Sequence, residues 1–191
     1  LTREFNDFFE YSLMTPLDLV RNTIGGDKLA PQQKIVLLRQ AISDLPDVVA
    51  LQVSVEGAPK PIVVVQESYF DRLKPFFPDP LEVLRVDGTE LEGSALRAAG
   101  VTHIAETDDW LATASLSIPG GIAGRNASLV ARIDLSRLRS TILRDPFAAT
   151  GTINVIDKDR NVVFATASGA LERKSVVDKA IDMLGNNTAT V

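Results

Sequence analysis

Residues 109–118 read DWLATASLSI and residues 128–133 read SLVARI, with a glycine-rich loop that begins PGGIAG between them. The first stretch alternates large apolar with small polar residues, which is typical of a β-strand with two different faces. The second is aliphatic and of strand length. Two such stretches joined through a glycine-bearing loop predict adjacent antiparallel strands. Alternation places Thr113 and Ser115 on one face, and this small polar face could line a pocket.

Toward the N-terminus the sequence predicts a strand hairpin preceded by two helices. Residues 48–55 and 61–65 are rich in valine, and a glycine and a proline between them turn the chain. Residues 2–24 carry apolar side chains at helical spacing, and we expect Pro16 to bend that helix. Residues 31–45 repeat the helical spacing, with a proline near the start.

Toward the C-terminus the helical period returns at residues 134–143. A further hairpin is predicted from residues 151–156 and 162–165, which flank a polar turn. A last helix is expected over residues 175–184.

Residues 67–100 are irregular and rich in proline and glycine, with short helices expected over residues 69–76 and 91–99. We expect this region to wrap a pocket. Helices and antiparallel strands in this order indicate an α+β fold rather than alternating parallel units.

The composition argues against several classes of protein. The 191 residues, 45% of them hydrophobic and 24% charged, suit a globular protein with a core. The net charge of -5 has the wrong sign for a surface that neutralises phosphates, so nucleic acid is not expected as a partner. The absence of cysteine excludes disulfides and thiolate chemistry. Because the chain begins at Leu1 rather than at a methionine, we expect it to be a piece of a longer protein.

The residues that could carry chemistry do not predict an enzyme. His103 is the only histidine, and a structural role is expected for it. Asp108 and Asp109 could bind a cation, as could Asp157 and Asp159, but polar turns explain both pairs more simply. No nucleophile with an adjacent base is evident, so we expect no catalytic residue, no metal and no cofactor.

Two stretches resemble a known family of sensors. Residues 112–119 and 128–138 resemble the last two strands and the exit helix of a Cache domain, which is a PAS-like module. Residues 151–163 are similar to the hairpin that opens the membrane-proximal half of a double Cache domain. The helix over residues 2–24 fits the same family, in which it rises from the membrane and packs as a dimer. Too few residues follow Ala165 for a complete second half, so this lobe is expected to be truncated or reduced.

The resemblance implies three parts: a helical stalk or dimerisation region at residues 1–46, a membrane-distal PAS-like lobe at residues 47–145, and a partial membrane-proximal lobe at residues 146–191. The expected fold is thus a long N-terminal helix, a PAS-like antiparallel sheet with inserted helices, and a small partial second α/β lobe. It further implies a periplasmic position, tethered to the inner membrane by segments outside this chain. The output domain would be a chemotaxis rod, a histidine kinase or a nucleotide cyclase.

The resemblance also implies a binding site on the concave face of the distal sheet. In Cache sensors a tyrosine and an arginine hold a ligand carboxylate, and an aspartate at a strand end holds an amine. Tyr69, Arg72 and Asp134 resemble these three residues. A buried zwitterion needs a cation at one end and an acceptor at the other. The complete expected set of ligand-binding residues is Tyr69, Arg72, Trp110, Thr113, Ser115, Arg132 and Asp134.

Each member of the set also has a simpler interpretation. Asp134 could cap the helix that follows it, and Trp110 could serve packing alone. The residues after Arg72 differ from the aromatic pair of the amino-acid-binding members. A small organic acid or another metabolite therefore stays open as the ligand.

The sequence thus predicts a non-enzymatic sensing domain that binds a small molecule, which could bear a carboxylate, and that forms a homodimer through its N-terminal helix. The alternative is a ligand-free structural or dimerisation module. A pocket filled by Phe70, Phe76 or Phe77 would favour that alternative.

Overall fold

The computed structural model describes residues 8–25, 29–86, 101–144, 154–156 and 162–165. The chain divides into two compact units, residues 1–138 and residues 139–191. The helices predicted over residues 91–99 and 175–184 lie outside the described residues. In the described part, no helix has the length and apolar character needed to cross a membrane.

The N-terminal part is helical in two consecutive segments. A π-helical segment, Phe8–Met14, leads directly into helix α1, Thr15–Ile24. Pro16 lies in the first turn of α1, and because it has no backbone N–H it cannot donate a hydrogen bond to the preceding π-helical turn. The proline therefore marks the change from one helical form to the other. Helix α2, Pro31–Asp44, follows and also has a proline in its first turn.

The first unit is built on one antiparallel sheet of five strands, in the spatial order β2-β1-β5-β4-β3. The strands are β1, Val48–Val55, β2, Ile62–Val65, β3, Val101–Ile104, β4, Asp109–Ser117, and β5, Ala127–Asp134. Strand β1 pairs with β2, and β4 pairs with β5. Both predicted hairpins are therefore confirmed, as is the α+β class.

Two short helices lie in the described residues between β2 and β3. Helix α3, Glu67–Leu73, begins two positions before the predicted start and ends before Pro75, because a proline ring does not fit inside a helix. Helix α4, Pro80–Leu84, begins after Asp79, whose carboxylate accepts a hydrogen bond from the Leu81 N–H at 3.0 Å.

Helix α5, Ser136–Leu143, follows β5 directly. In the second unit, β6, Asn154–Ile156, pairs antiparallel with β7, Val162–Ala165, which confirms the third predicted hairpin.

The strand register assembles a polar set of side chains on one side of the sheet. Thr113 lies opposite Arg132, and Leu111 lies opposite Asp134. Because side chains alternate along a strand, residues paired in this way share a face. We call it the site face, and its residues on β1, β4 and β5 include Ala50, Gln52, Asp109, Leu111, Thr113, Ser115, Arg132 and Asp134.

Helices α3 and α4 cover the site face. Tyr69 and Leu73 of α3 and Leu84 of α4 join Ala50, Ile104 and Leu111 in one buried cluster. Burying aliphatic and aromatic side chains in this way fixes the helices on the sheet.

The central part of the other face of the sheet is buried as well. Ala112, Ala114 and Leu116 alternate with the polar residues of β4 and are almost inaccessible. Helix α1 contacts β4, and α2 contacts β1 and β2. The small polar residues Thr113 and Ser115 therefore lie inside the protein rather than on an open surface.

Candidate functional site

Helix α3 delivers two of the predicted site residues to the sheet. Tyr69 and Leu73, four positions apart, lie on the buried side of the helix. Arg72 lies beside them and its side chain is 47% exposed. The guanidinium carbon of Arg72 is 4.5 Å from the centre of the Tyr69 ring, which is the distance of a cation–π contact.

Asp109, the first residue of β4, is where these side chains converge. Its Oδ2 accepts a hydrogen bond from the Tyr69 hydroxyl at 3.0 Å and from Arg72 Nη2 at 2.7 Å. The Thr107 hydroxyl donates to the same oxygen at 2.6 Å. Asp134 at the end of β5 completes the group, with its Oδ2 3.6 Å from Arg72 Nη2. We call Tyr69, Arg72, Asp109 and Asp134 the Arg72 cluster.

The electrostatics of the cluster hold Tyr69 and Arg72 in their protonated forms. Burial raises the pKa of the Tyr69 hydroxyl, and the charge and hydrogen bond of Asp109 raise it further. Burial alone would lower the pKa of Arg72, but the charge of Asp109 and the contact with Tyr69 outweigh it, and the net pKa is raised. The cluster therefore keeps a charged donor beside two carboxylates.

Asp134 contacts both the helix that follows it and Arg72. Its Oδ1 accepts hydrogen bonds from the Ser136 backbone N–H at 2.9 Å and from the Ser136 hydroxyl at 2.6 Å. This is a capping contact at the start of α5. Its other oxygen faces Arg72. One carboxylate thus joins the cluster to the first turn of a helix.

Arg132 and Thr113 form a second polar group on the site face. Arg132 Nη1 donates to Thr113 Oγ1 at 2.6 Å, and Nη2 lies 3.4 Å from the Val83 carbonyl oxygen. Ser115 is the next residue of β4 on this face and is also buried. The structure therefore brings together three of the predicted residues here, and three others, Tyr69, Arg72 and Asp134, in the Arg72 cluster.

Trp110 is separated from the other predicted residues. It lies between Asp109 and Leu111, so its side chain is directed to the opposite face of the sheet. There its ring stacks on His103, its partner in β3, with the ring centres 4.4 Å apart. His103 Nε2 also lies 3.0 Å from a carboxylate oxygen of Asp108. Trp110 and His103 therefore contact each other on the face opposite the Arg72 cluster.

Three polar residues of this region were missing from the predicted set. The sequence predicts Asp109 only as a partner of Asp108 in a cation site, but Asp108 is exposed while Asp109 is buried. The other two residues are Thr107, which donates to Asp109, and Gln52, whose side-chain amide bonds both the N–H and the carbonyl of Val86. The alternation of β4 indicates a site position for Asp109, because side chains alternate along a strand and Asp109 therefore shares a face with Thr113 and Ser115.

In the described part of the chain, no three histidine, cysteine or carboxylate side chains come together as a possible metal site. The two carboxylates of the Arg72 cluster have an arginine between them, which is unfavourable for a cation such as Ca²⁺. The cluster is suited instead to binding a charged organic group through hydrogen bonds.

The comparisons with known proteins give a likeness of fold. The sequence matches no family profile and no curated protein. The ligand-binding domain of the Pseudomonas aeruginosa PAO1 amino acid chemoreceptor PctC, solved in complex with GABA, has a TM-score of 0.54 and 14% identity over 87% of this chain and 71% of that chain.

The sensory domain of the Campylobacter jejuni chemoreceptor Tlp3, solved with isoleucine, has a TM-score of 0.52 and 13% identity over 90% of this chain and 69% of that chain. The same domain in complex with L-norvaline has a TM-score of 0.51 and 9% identity over 93% of this chain and 71% of that chain. The chain therefore has the α+β fold of chemoreceptor sensory domains.

Proposed function

We propose that this chain is the extracytoplasmic ligand-sensing domain of a bacterial transmembrane receptor, of the double Cache type with a reduced membrane-proximal half. The observation that carries the proposal is the Arg72 cluster, which gathers a half-exposed arginine, a tyrosine and two aspartates on one face of a sensor-type sheet. The similar domains of PctC and Tlp3 were solved with GABA, isoleucine and norvaline, all of which carry a carboxylate and an amine.

The chemistry of the cluster suits a small charged metabolite. The contacts of Arg72 with Asp109 and Asp134 both use Nη2, so Nη1 and Nε are the donors proposed for a ligand carboxylate. Asp134 Oδ2 is held only loosely by Arg72 and is available as an acceptor for an amine. An amino acid, a related zwitterion or a small organic acid meets these requirements.

A chain of contacts leads from the cluster to the N-terminal segment. Asp134 caps the start of α5 by accepting a hydrogen bond from the Ser136 N–H. Arg137, the residue after Ser136, forms an ion pair of 2.5 Å with Asp47. The guanidinium of Arg137 also lies 5.1 Å from the centre of the Phe8 ring. In the proposed receptor, a ligand that displaces Asp134 would shift this chain and bias the N-terminal helices between two states.

The proposed organisation follows the three parts named above, with residues 1–46 as stalk and dimerisation region, residues 47–145 as the distal lobe and residues 146–191 as a partial proximal lobe. Segments outside this chain would tether it to the inner membrane and place it in the periplasm.

A thermal-shift screen of the purified domain tests the proposal. GABA, L-isoleucine, L-norvaline and a set of organic acids are the first compounds to add. A ligand at about 100 times its Kd should raise Tm by roughly 5–10 °C. The Arg72→Gln variant should lose this shift, while the control Arg85→Gln, at another exposed arginine, should keep it.

If no compound stabilises the domain, or if Arg72→Gln responds as the wild type does, ligand sensing at this cluster is wrong.

A second candidate function is a ligand-free dimerisation module. Two observations favour it. Phe77 packs against the buried cluster on the site face. An apolar groove of about 330 Å³ runs between α1 and α2, with Leu19, Val20, Leu37 and Ala41 among its walls. This groove lies in the region proposed to form the homodimer, so the two functions share a prediction on oligomeric state.

A further inference from the structure

Asp109 is the most constrained side chain of the candidate site. Its side chain is only 5% exposed, whereas that of Arg72 is 47% exposed. A single oxygen of Asp109 accepts from Tyr69, Arg72 and Thr107. A buried carboxylate with three donors is expensive to move, because its partners would lose charge-assisted hydrogen bonds.

We propose that Asp109 is the positioning residue of the candidate site, the internal counter-ion that holds the Tyr69 hydroxyl and the Arg72 guanidinium in fixed places on the sheet. This inference rests on the proposed function, since the orientation of Arg72 matters only for a group that meets it from outside. Asp109 itself is too deeply buried to contact a ligand and acts through these two side chains.

The geometry shows why such a residue is needed. Arginine has a long side chain with large rotamer entropy, and a half-exposed arginine without a fixed partner samples many orientations. Here Nη2 is fixed by Asp109, and the guanidinium rests over the Tyr69 ring. Tyr69 is in turn fixed because its hydroxyl reaches the same carboxylate oxygen. The three groups thus hold one another, and Nη1 and Nε keep a single direction.

The tyrosine content of the chain permits a direct test without any ligand. The sequence has two tyrosines, Tyr11 and Tyr69, so Tyr69 is the only one in a Tyr11→Phe background. Tyrosinate absorbance then reports the ionisation of Tyr69 alone. Asp109→Asn removes the neighbouring negative charge, and tyrosinate should appear at a pH lower by about one unit or more.

The matched control is Asp108→Asn, which changes the preceding residue to the same side chain. Asp108 is exposed and lies beside His103 rather than Tyr69. It has a positive φ of 53°, which asparagine also tolerates. This variant should leave the Tyr69 titration unchanged.

The second measurement follows the Arg72 side chain by nitrogen NMR of its Nε–H and Nη groups. In the wild type, rotation about the Cζ–Nη bonds should be slowed by the bond to Asp109, and this signature should be lost in Asp109→Asn and kept in Asp108→Asn. If Asp109→Asn does not fold, Arg72→Gln replaces it for the tyrosine titration. Because Asp109 remains in that variant, tyrosinate formation should stay suppressed.

An unchanged Tyr69 titration in folded Asp109→Asn, a retained Arg72 signature in that variant, or an ordinary Tyr69 titration in Arg72→Gln would each overturn the proposal. Neither measurement uses a ligand. If no compound binds in the thermal-shift screen, the sensing function is wrong but the positioning role of Asp109 can still stand. If a compound binds but the Asp109→Asn measurements fail, the positioning role is wrong and the sensing function can still stand.

Discussion

At the scale of single residues, Gln52 shows how a buried polar side chain can hold a loop. Its amide donates to the Val86 carbonyl at 2.7 Å and accepts from the Val86 N–H at 3.1 Å, while the residue is only 3% exposed. We predict that Gln52→Ala lowers the free energy of unfolding by about 1–3 kcal/mol, since two buried backbone groups lose their partners. Urea denaturation measures this.

The exposed Gln40→Ala, which loses only a contact with Asp44, should change the free energy of unfolding by less than about 0.5 kcal/mol. Equal effects of the two variants would contradict the prediction.

Asp47 gives a prediction on pH. Burial raises the pKa of its carboxyl above the ordinary value of 3.8, Arg137 opposes the rise, and Asp134 adds to it. The folded protein thus holds this proton more tightly than the unfolded chain does. The stability that the group contributes is fully present below the ordinary pKa and is lost as the pH rises through the folded pKa.

Urea unfolding of wild type and Asp47→Asn at a series of pH values should therefore show the variant gaining relative stability as the pH rises above 3.8. The exposed Asp44→Asn serves as the control for the substitution itself. A relative loss of stability by Asp47→Asn over that pH range would show that the pair with Arg137 outweighs the burial.

At the scale of elements, the end of α1 is packed closely against the loop after β4. A Cβ added to Gly25 would lie 2.8 Å from the Pro119 carbonyl oxygen and 3.1 Å from Ile118 Cγ2. The φ of Gly25 is -67°, which alanine adopts freely, so the cost of a substitution is purely steric. We predict that Gly25→Ala lowers the free energy of unfolding by about 1–3 kcal/mol. A lower melting temperature than that of the wild type measures this loss.

The contrast for this prediction is Gly124→Ala. Gly124 has a φ of +71°, but no atom lies within 4 Å of an added Cβ. This variant therefore measures only the strain of a left-handed backbone, which should lower the free energy of unfolding by about 1 kcal/mol. A Gly25→Ala protein as stable as the wild type would mean that α1 does not approach the loop this closely.

At the scale of the whole molecule, the groove between α1 and α2 bears on assembly. Leu19 lies on its wall and is 69% exposed, so its side chain can contact a second molecule. In a two-fold dimer the same patch is used by both copies, so Leu19 of one copy can enter the groove of the other. We predict that the domain sediments as a dimer and that Leu19→Lys shifts it to a monomer. Ile62→Lys, at an exposed isoleucine of β2, is the control. A wild type that stays monomeric at high concentration would rule out this interface.

The sequence by itself determined the local structure of this protein. The alternation in residues 109–118 predicted β4 and its two faces, because periodicity depends only on neighbouring residues. The short helix expected over residues 69–76 overlaps α3, Glu67–Leu73. The resemblance also selected Tyr69, Arg72 and Asp134, which the structure brings together.

Only the tertiary structure decided which side chains meet. Asp109 lies 40 positions from Tyr69 and 37 from Arg72 along the chain, and its role depends on how α3 packs on the sheet. The stacking of Trp110 on His103 likewise depends on the register of β4 with β3. Contacts between distant segments are fixed by packing and register, which no local pattern of residues encodes.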